Sequence, residues 1–191
     1  MSTAKTTKDI VNAIFEMFEM NRTPRSGWQR AGLRYSMVEN NAEHTCFVTQ
    51  IAFVLAILEG QDPGPVVCEA LFHDNGEPRT GDANKLNKRY FDKKAGERQA
   101  FKDFISRLPS SVSSGMQECY DDFEKGESVR AKIVKDADLL QMAFQAKFYM
   151  SIGYKFAEIF LRNVEKKLQT NSAKNIYQIL LETEFYEWCL L

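Results

Sequence analysis

The sequence predicts an all-α fold, and three observations carry that reading. Apolar residues return with a 3.6-residue period along most of the chain, strand-type alternation is weak, and only 10 Gly and 5 Pro punctuate 191 residues. A length of 191 residues, set against roughly 100 to 200 residues per domain, predicts one domain over 1–191. With 44% hydrophobic and 27% charged residues, such a chain buries a core without a staple.

The elements follow from the pattern in order. Ile10, Ile14 and Phe18 mark a helix that starts near Thr6 or Thr7. Residues 22–36 contain Pro24, Gly27, Gly32 and four arginines, and read as a loop leading into a long helix over 39–58. Gly60 and Pro63 close that helix, and a third covers 65–74. An irregular basic stretch runs through Lys94, a helix over 95–108 ends at Pro109, and a shorter helical segment spans 113–124. Two long periodic stretches remain, 128–167, with a break near Gly153, and 172–190.

Charge and cysteine usage narrow the function classes. With 25 basic against 26 acidic residues the net charge is -1, which argues against a general electrostatic grip on nucleic acid polymers or anionic lipid. A charged ligand must be caught locally. Cys46, Cys68, Cys119 and Cys189 stand 22, 51 and 70 positions apart with no C-x-x-C, so neither a zinc ribbon nor a disulfide framework is expected. With no secretory leader read at the start, a reduced, cytoplasmic setting is the expectation. The most apolar run, 47–58, is interrupted by Thr49 and Gln50 and falls short of the ~20 residues of a membrane span.

The informative anomaly is the position of the histidines, of which the chain has two. His44 lies in line with Val48, Ile51, Leu55 and Leu58, a stripe that reads as a buried helix face. His73 follows Val66 and Ala70 and is next to Asp74; Asp138 shares a face with Val134, Met142, Ala146 and Tyr149. A lone histidine on an apolar face is ordinarily a hydrogen-bonded core residue, and an isolated His-Asp pair arises by chance in many chains. Here both histidines fall on apolar stripes, an acid adjoins one, and a third stripe carries another acid. A carboxylate out of water costs several kcal/mol unless it is hydrogen-bonded, paired or bound to a cation, and no Lys or Arg lies on those stripes. Two imidazoles and two carboxylates would satisfy one another around a divalent metal. With bond lengths near 2 Å, the imidazoles must then lie within about 10 Å of each other.

These residues sit in recognisable strings. AEH around His44, HDNGEPRTGD from His73 and VKDADLL around Asp138 resemble the HD-domain metallohydrolases. ENNAEH, the pattern H-D-x-x-E-x-x-T-G-D, the following R-Y-F and K-A-G-E-R resemble the 5'-deoxynucleotidase branch more closely. The resemblance spans about residues 22–150, the phosphohydrolase core, and leaves 151–191 as C-terminal helices of the same domain.

The resemblance implies a helical bundle with one divalent metal between central helices, held by His44, His73, Asp74 and Asp138. Asp138 fits the family's last ligand because it precedes the apolar pair Leu139-Leu140, whereas Asp136 stands about 200° around the helix and is expected to be solvated or to support a ligand. Glu77 matches the catalytic glutamate that shuttles a proton, and Asp82 a position that contacts the sugar hydroxyl. For phosphate the family uses an arginine and a tryptophan before the first histidine, here Arg25 and Trp28; Arg22 and Arg30 remain alternatives for the arginine, and Trp28 either packs on the sugar or anchors its loop. Lys85, Lys88, Arg89, Lys93 and Lys94 read as a solvated basic face that raises the local concentration of an anionic substrate.

The expected reaction is hydrolysis of deoxynucleoside 5'-monophosphates, with Mn, Co, Ni, Fe or Zn favoured over Mg by the mixed nitrogen and oxygen donors. Two rivals stand beside it. One is an HD-type phosphodiesterase or guanosine tetraphosphate hydrolase, although a second metal would need histidines this chain does not have. The other is a non-catalytic protein in which the metal ties helices together. A homodimer is expected from the resemblance and from the aromatic tail Phe185, Tyr186 and Trp188, which could equally fill the core.

Overall fold

A computed structural model describes residues 5–162 and 164–190; positions 1–4, 163 and 191, which belong to the predicted domain and in part to the 128–167 stretch, lie outside the described residues. Among the described residues the architecture is all-α. The helices are α1 (Thr7–Phe18), α2 (Ser26–Arg30), α3 (Asn41–Leu58), α4 (Pro63–Phe72), α5 (Glu77–Thr80), α6 (Lys93–Ile105), α7 (Ser110–Lys125), α8 (Val129–Ser151) and α9 (Asn171–Glu182), joined by short 3-10 turns. The only strand-like pairing described is a single bridge between Pro24 and Asn40.

Local chemistry sets the boundaries. Thr6 and Asp9 form a capping box at the start of α1, Asp92 caps α6, Ser128 caps α8 and Thr170 caps α9, each accepting from a first-turn backbone N–H. Gly126 ends α7 in the left-handed region, at φ 69°, a conformation that side chains with a Cβ resist. The long stretch from 128 breaks where expected, at Gly153 with φ 102°.

Helices α3, α4 and α8 pack on one another and form the centre, with α9 on α8 and α7 on α4 and α8. One apolar cluster, including Val48, Leu55, Val66, Val134, Leu140 and Tyr149, fills the space between them. A second joins α1, α6 and α7, where Phe101 stacks on Tyr120 with ring centroids 4.1 Å apart. α3 is an 18-residue apolar helix that meets the length and composition of a membrane span, yet Asn41, His44, Thr45, Val48, Ala52, Leu55 and Ala56 are buried within the protein.

The structure corrects several expectations. The stretch 22–36 is not all loop, because Ser26–Arg30 closes a short helix over the centre. α4 ends at Phe72, so His73 and Asp74 stand on the turn after it rather than on the helix. On α1, Ile14 and Phe18 face outward while Ala13 is buried and Ile10 and Met17 pack inward; on α3, Leu58 is exposed and Ile51 half-buried. Phe185 packs against Phe148, but Tyr186 and Trp188 are exposed, and α9 stops at Glu182 rather than running to 190. Asp136 is fully buried: it accepts from Gln169 N (2.9 Å), Thr170 N (2.7 Å) and Thr170 Oγ1 (2.7 Å), and so ties α8 to the start of α9.

Candidate metal centre

The string ENNAEH builds the first turn of α3 and aims it. Asn40 accepts from the backbone N–H of Glu43, and the Glu43 carboxylate accepts from that of Asn40, a capping box that fixes where the helix begins. His44, one turn further on, then points into the centre. His73 caps the end of α4, with Asp74 beside it on the turn, and Asp138 comes from the middle of α8. Three separate elements therefore deliver four donors to one place.

The distances are those of a shared site. His44 Nε2 lies 3.3 Å from Asp138 Oδ1 and 3.5 Å from Asp74 Oδ2, and His73 Nε2 lies 3.3 Å from Asp74 Oδ2. Donor atoms of His44, His73 and Asp74 all fall within 4.8 Å of one another, and the two imidazole centroids are 5.5 Å apart, inside the limit a common ion sets. The sequence's requirement for proximity is met.

Both rings have their other nitrogen committed. His44 Nδ1 donates to Gln141 Oε1 (2.7 Å), whose amide group in turn donates to Glu39 Oε2 (2.7 Å); His73 Nδ1 donates to the carbonyl of Ala70 (2.6 Å). Carbonyl oxygens only accept, so the Nδ1 atoms carry hydrogen and the Nε2 atoms are the ring nitrogens that face the centre. Each Nε2 is buried without a hydrogen-bond partner. Burial favours a neutral His73, but Asp74 and Asp138 outweigh it and push the imidazole up to about 9. For Asp74, burial would raise the carboxyl, and His73, Arg25 and His44 hold it well below the usual range instead. Two carboxylates and two imidazole Nε2 atoms form a mixed oxygen and nitrogen donor set that fits a divalent cation of borderline softness, which would displace the proton from His73.

Glu77 sits on the first turn of α5, essentially without solvent contact. Asn41 Nδ2 donates to its Oε2, Lys93 Nζ lies 2.6 Å from its Oε1, and Arg25 Nη1 is 3.7 Å away. Burial and the charge of Asp74 push the carboxyl up to about 8, with Arg25 and Lys93 pulling the other way. Lys93 is the exception to the basic face expected for its cluster: its side chain is 13% exposed and lies between Glu77 and Glu97. The backbone makes room for this. A Cβ on Gly76 would stand 2.6 Å from the carbonyl oxygen of Glu97, so glycine there allows α6 to close on the turn that carries Glu77.

Among the candidate arginines, Arg25 alone enters the site. Its Nη1 is 3.1 Å from Asp74 Oδ2 and 3.6 Å from Asp82 Oδ1, whereas Arg22 is exposed and paired with Glu19, and Arg30 is exposed. Asp82 follows Gly81, at φ 72°, and its Oδ2 accepts from the Ser26 N–H at 2.6 Å, so this carboxylate also holds the start of α2. Of the two roles open to Trp28, the structure shows the contacts of an anchor: it is 3% exposed, its Nε1–H donates to Glu39 Oε1 (2.7 Å), and its ring packs on Tyr149 and Phe160.

Sequence reasoning missed Glu39, Asn41 and Gln141, and misassigned Lys93. Glu39 receives both Trp28 and Gln141, so one carboxylate fixes the loop before α3 and the tautomer of His44. The signal available was that ENNAEH carries polar residues at the entrance of an apolar helix; Asn41 finds Glu77 36 positions away and Glu39 finds Gln141 102 positions away.

Comparison with known proteins agrees with this arrangement. A family model described as HD domain matches residues 19–180. Human 5'-deoxynucleotidase HDDC2 is 27% identical over 140 residues, 72% of this chain and 66% of that protein, so the match spans just under two thirds of the relative's length. The crystal structure of the genomics target APC5600 is 35% identical with a TM-score of 0.76, covering 92% of this chain and 95% of its own. A protein of Pyrococcus horikoshii OT3 is 27% identical at a TM-score of 0.75, covering 90% and 96%.

Proposed function

The chain belongs to the HD-domain family, and from that premise we propose that it is a metal-dependent phosphohydrolase acting on deoxynucleoside 5'-monophosphates, releasing the nucleoside and phosphate. The observation that carries the reading is the pair of buried, unpartnered Nε2 atoms of His44 and His73 facing Asp74 and Asp138. Likeness to the human 5'-deoxynucleotidase supports the substrate class. A divalent cation held by these four residues would polarise a phosphoryl oxygen and lower the pKa of water, so that a nucleophile is available near neutral pH.

The protein's own groups then divide the remaining work. Arg25 is permanently charged and offers a fork of N–H donors to the equatorial phosphoryl oxygens. It is held in place by Asp74 and Asp82 until an anion competes for it. Glu77, pushed up to about 8, exchanges a proton near neutral pH and can pass it toward the leaving alkoxide. Asn41 and Lys93 fix the direction of that carboxylate. Asp82 stands beside Arg25, where it can accept from a sugar hydroxyl. With two histidines in the chain, the donor set supports one ion and gives no support to a two-metal phosphodiesterase.

The test is phosphate release by the purified protein with Mn or Co, from a panel of deoxynucleoside and ribonucleoside monophosphates, cyclic nucleotides and guanosine tetraphosphate. Hydrolysis confined to deoxynucleoside monophosphates is expected, with dAMP cleaved faster than AMP; release only from a cyclic nucleotide or guanosine tetraphosphate would replace the substrate, and none at all would leave a metal-tied scaffold. Glu77→Ala is expected to keep the metal and lose at least 100-fold in turnover. Undiminished rates in that variant would remove the proton relay.

A further inference from the structure

His44 ends a chain of buried side chains that starts at Trp28 on α2 and passes through Glu39, before α3, and Gln141, on α8. Trp28 Nε1–H donates to Glu39 Oε1 (2.7 Å), Gln141 Nε2 donates to Glu39 Oε2 (2.7 Å), and His44 Nδ1 meets Gln141 Oε1 (2.7 Å). Glu39 sets the direction of this chain. With both its oxygens accepting, Gln141 must turn its amide nitrogen to Glu39 and its oxygen to His44, which then carries its hydrogen on Nδ1. The same residue holds the segment that carries the arginine. The Glu39 carbonyl accepts from Arg25 N–H (3.0 Å), and Trp28, bound to the Glu39 side chain, donates its backbone N–H to the Arg25 carbonyl (3.2 Å). His73 stands outside the chain, because its Nδ1 is taken by the Ala70 carbonyl.

We propose that Glu39 is a positioning residue for both halves of the site: through Gln141 it makes His44 meet a cation with Nε2, and through Trp28 it keeps Arg25 where a phosphate needs it. This rests on the cation site of the preceding section. Partners of a ligand imidazole hold its tautomer and direction, and cutting them costs about 10- to 100-fold in metal affinity. In Glu39→Gln, one acceptor oxygen at position 39 faces two donors. If it keeps Trp28, its amide nitrogen turns Gln141 over. Gln141 then offers N–H to His44 Nδ1, and the imidazole hydrogen moves to Nε2, the nitrogen needed for the cation. Gln141→Glu instead sets two carboxylates against each other and leaves Trp28 paired. Exchanging the two residues, Glu39→Gln with Gln141→Glu, gives every donor an acceptor again: position 141 accepts from His44 and from position 39, and position 39 accepts from Trp28.

The experiment uses the full chain and measures zinc affinity by calorimetry, inorganic phosphate affinity at saturating zinc, and the nitrogen NMR spectrum of the two imidazoles with zinc bound. Glu39→Gln is expected to lose about 10- to 100-fold in zinc affinity and severalfold in phosphate affinity, with the His44 signals shifted and those of His73 unchanged. Gln141→Glu is expected to lose zinc affinity in the same range yet to bind phosphate like the wild type once zinc saturates. The double variant is expected to return close to the wild type in both, a coupling that loss of packing alone does not produce. Should Glu39→Gln fail to fold, Gln141→Glu against the double variant decides by the same criterion. A wild-type protein that takes up no zinc overturns the cation site and this role together. With zinc bound by the wild type, the role of Glu39 alone is overturned if Glu39→Gln matches the wild type in zinc or phosphate affinity, or if the double variant is no tighter than the singles.

Discussion

At the scale of single residues, α8 carries two aspartates two positions apart that serve opposite ends of the molecule's chemistry. Asp138 points to the metal centre, its side chain 35% exposed at the mouth, and contacts His44. Asp136, about 200° around the helix, is completely enclosed and spends both oxygens on the start of α9. Removing a buried acceptor leaves its donors unsatisfied, and hydrogen bonds to a charged group are worth about 1.5 to 3 kcal/mol each. Asp136→Ala is therefore expected to cost about 3 kcal/mol or more of folding stability while leaving metal affinity of the folded fraction intact. Asp138→Ala is expected to do the reverse, with a small stability change and a loss of bound metal at least tenfold. Denaturant melts paired with metal analysis separate the two; equal metal loss in both variants would make Asp136 part of the centre.

At the scale of helices, what was legible in the sequence was local. The apolar period placed α1, α3, α6, α7 and α8 to within a few residues, and in the structure Thr6, Asn40, Asp92 and Ser128 cap four of them, each acting on the turn that follows. α2 was not legible, since Pro24, Gly27 and Gly32 read as loop, and the five-residue helix Ser26–Arg30 is held by tertiary contacts of Trp28. The stripes of α1 misled for a related reason: the helix has apolar residues on more than one side, and packing on α6 and α7 chose Ala13 over Phe18. The metal donors showed because histidines are rare here and fell on apolar faces, whereas Gln141 and Lys93 resemble any surface residue until the fold brings them to His44 and Glu77.

The junction of α4, α7 and α8 gives this scale its own pH dependence. Glu69 is fully enclosed, and burial, followed by the charge of Asp122, pushes its carboxyl up to about 8 even though Arg130 is alongside. The folded protein therefore holds a proton that the unfolded chain has released above about pH 4.5, and the stability tied to that proton is present at low pH and lost as pH rises toward 8. Melting temperature of the metal-free protein is expected to fall between pH 5 and 8, and Glu69→Gln, which carries a permanent neutral amide, is expected to lessen that fall, leaving the part that Glu77 and His73 contribute with the same sign. A slope unchanged by the substitution would assign the proton elsewhere.

At the scale of the whole molecule, an ion at the candidate centre would do structural work as well as chemistry. Its donors come from α3, from the turn between α4 and α5, and from α8, so an ion bound there joins segments that are 29 and 64 residues apart along the chain, from 44 to 73 and from 74 to 138. His44 Nε2 and His73 Nε2 are buried without a hydrogen-bond partner, with Asp138 3.3 Å from His44 Nε2 and Asp74 3.3 Å from His73 Nε2. A ligand that binds only the folded state at 100 times its dissociation constant stabilises by about 2.7 kcal/mol. For a chain of this length each kcal/mol shifts the melting temperature by roughly 2 to 4 °C. Stripping the protein with a chelator is thus expected to lower its melting temperature by roughly 5 to 10 °C, and adding back Mn or Co to restore it. His73→Ala, which lacks one of the two imidazoles, is expected to melt at one temperature whether or not metal is present. Identical melting of the stripped and loaded wild-type protein would mean that the four side chains hold no ion, and the hydrolytic reading built on them would go with it.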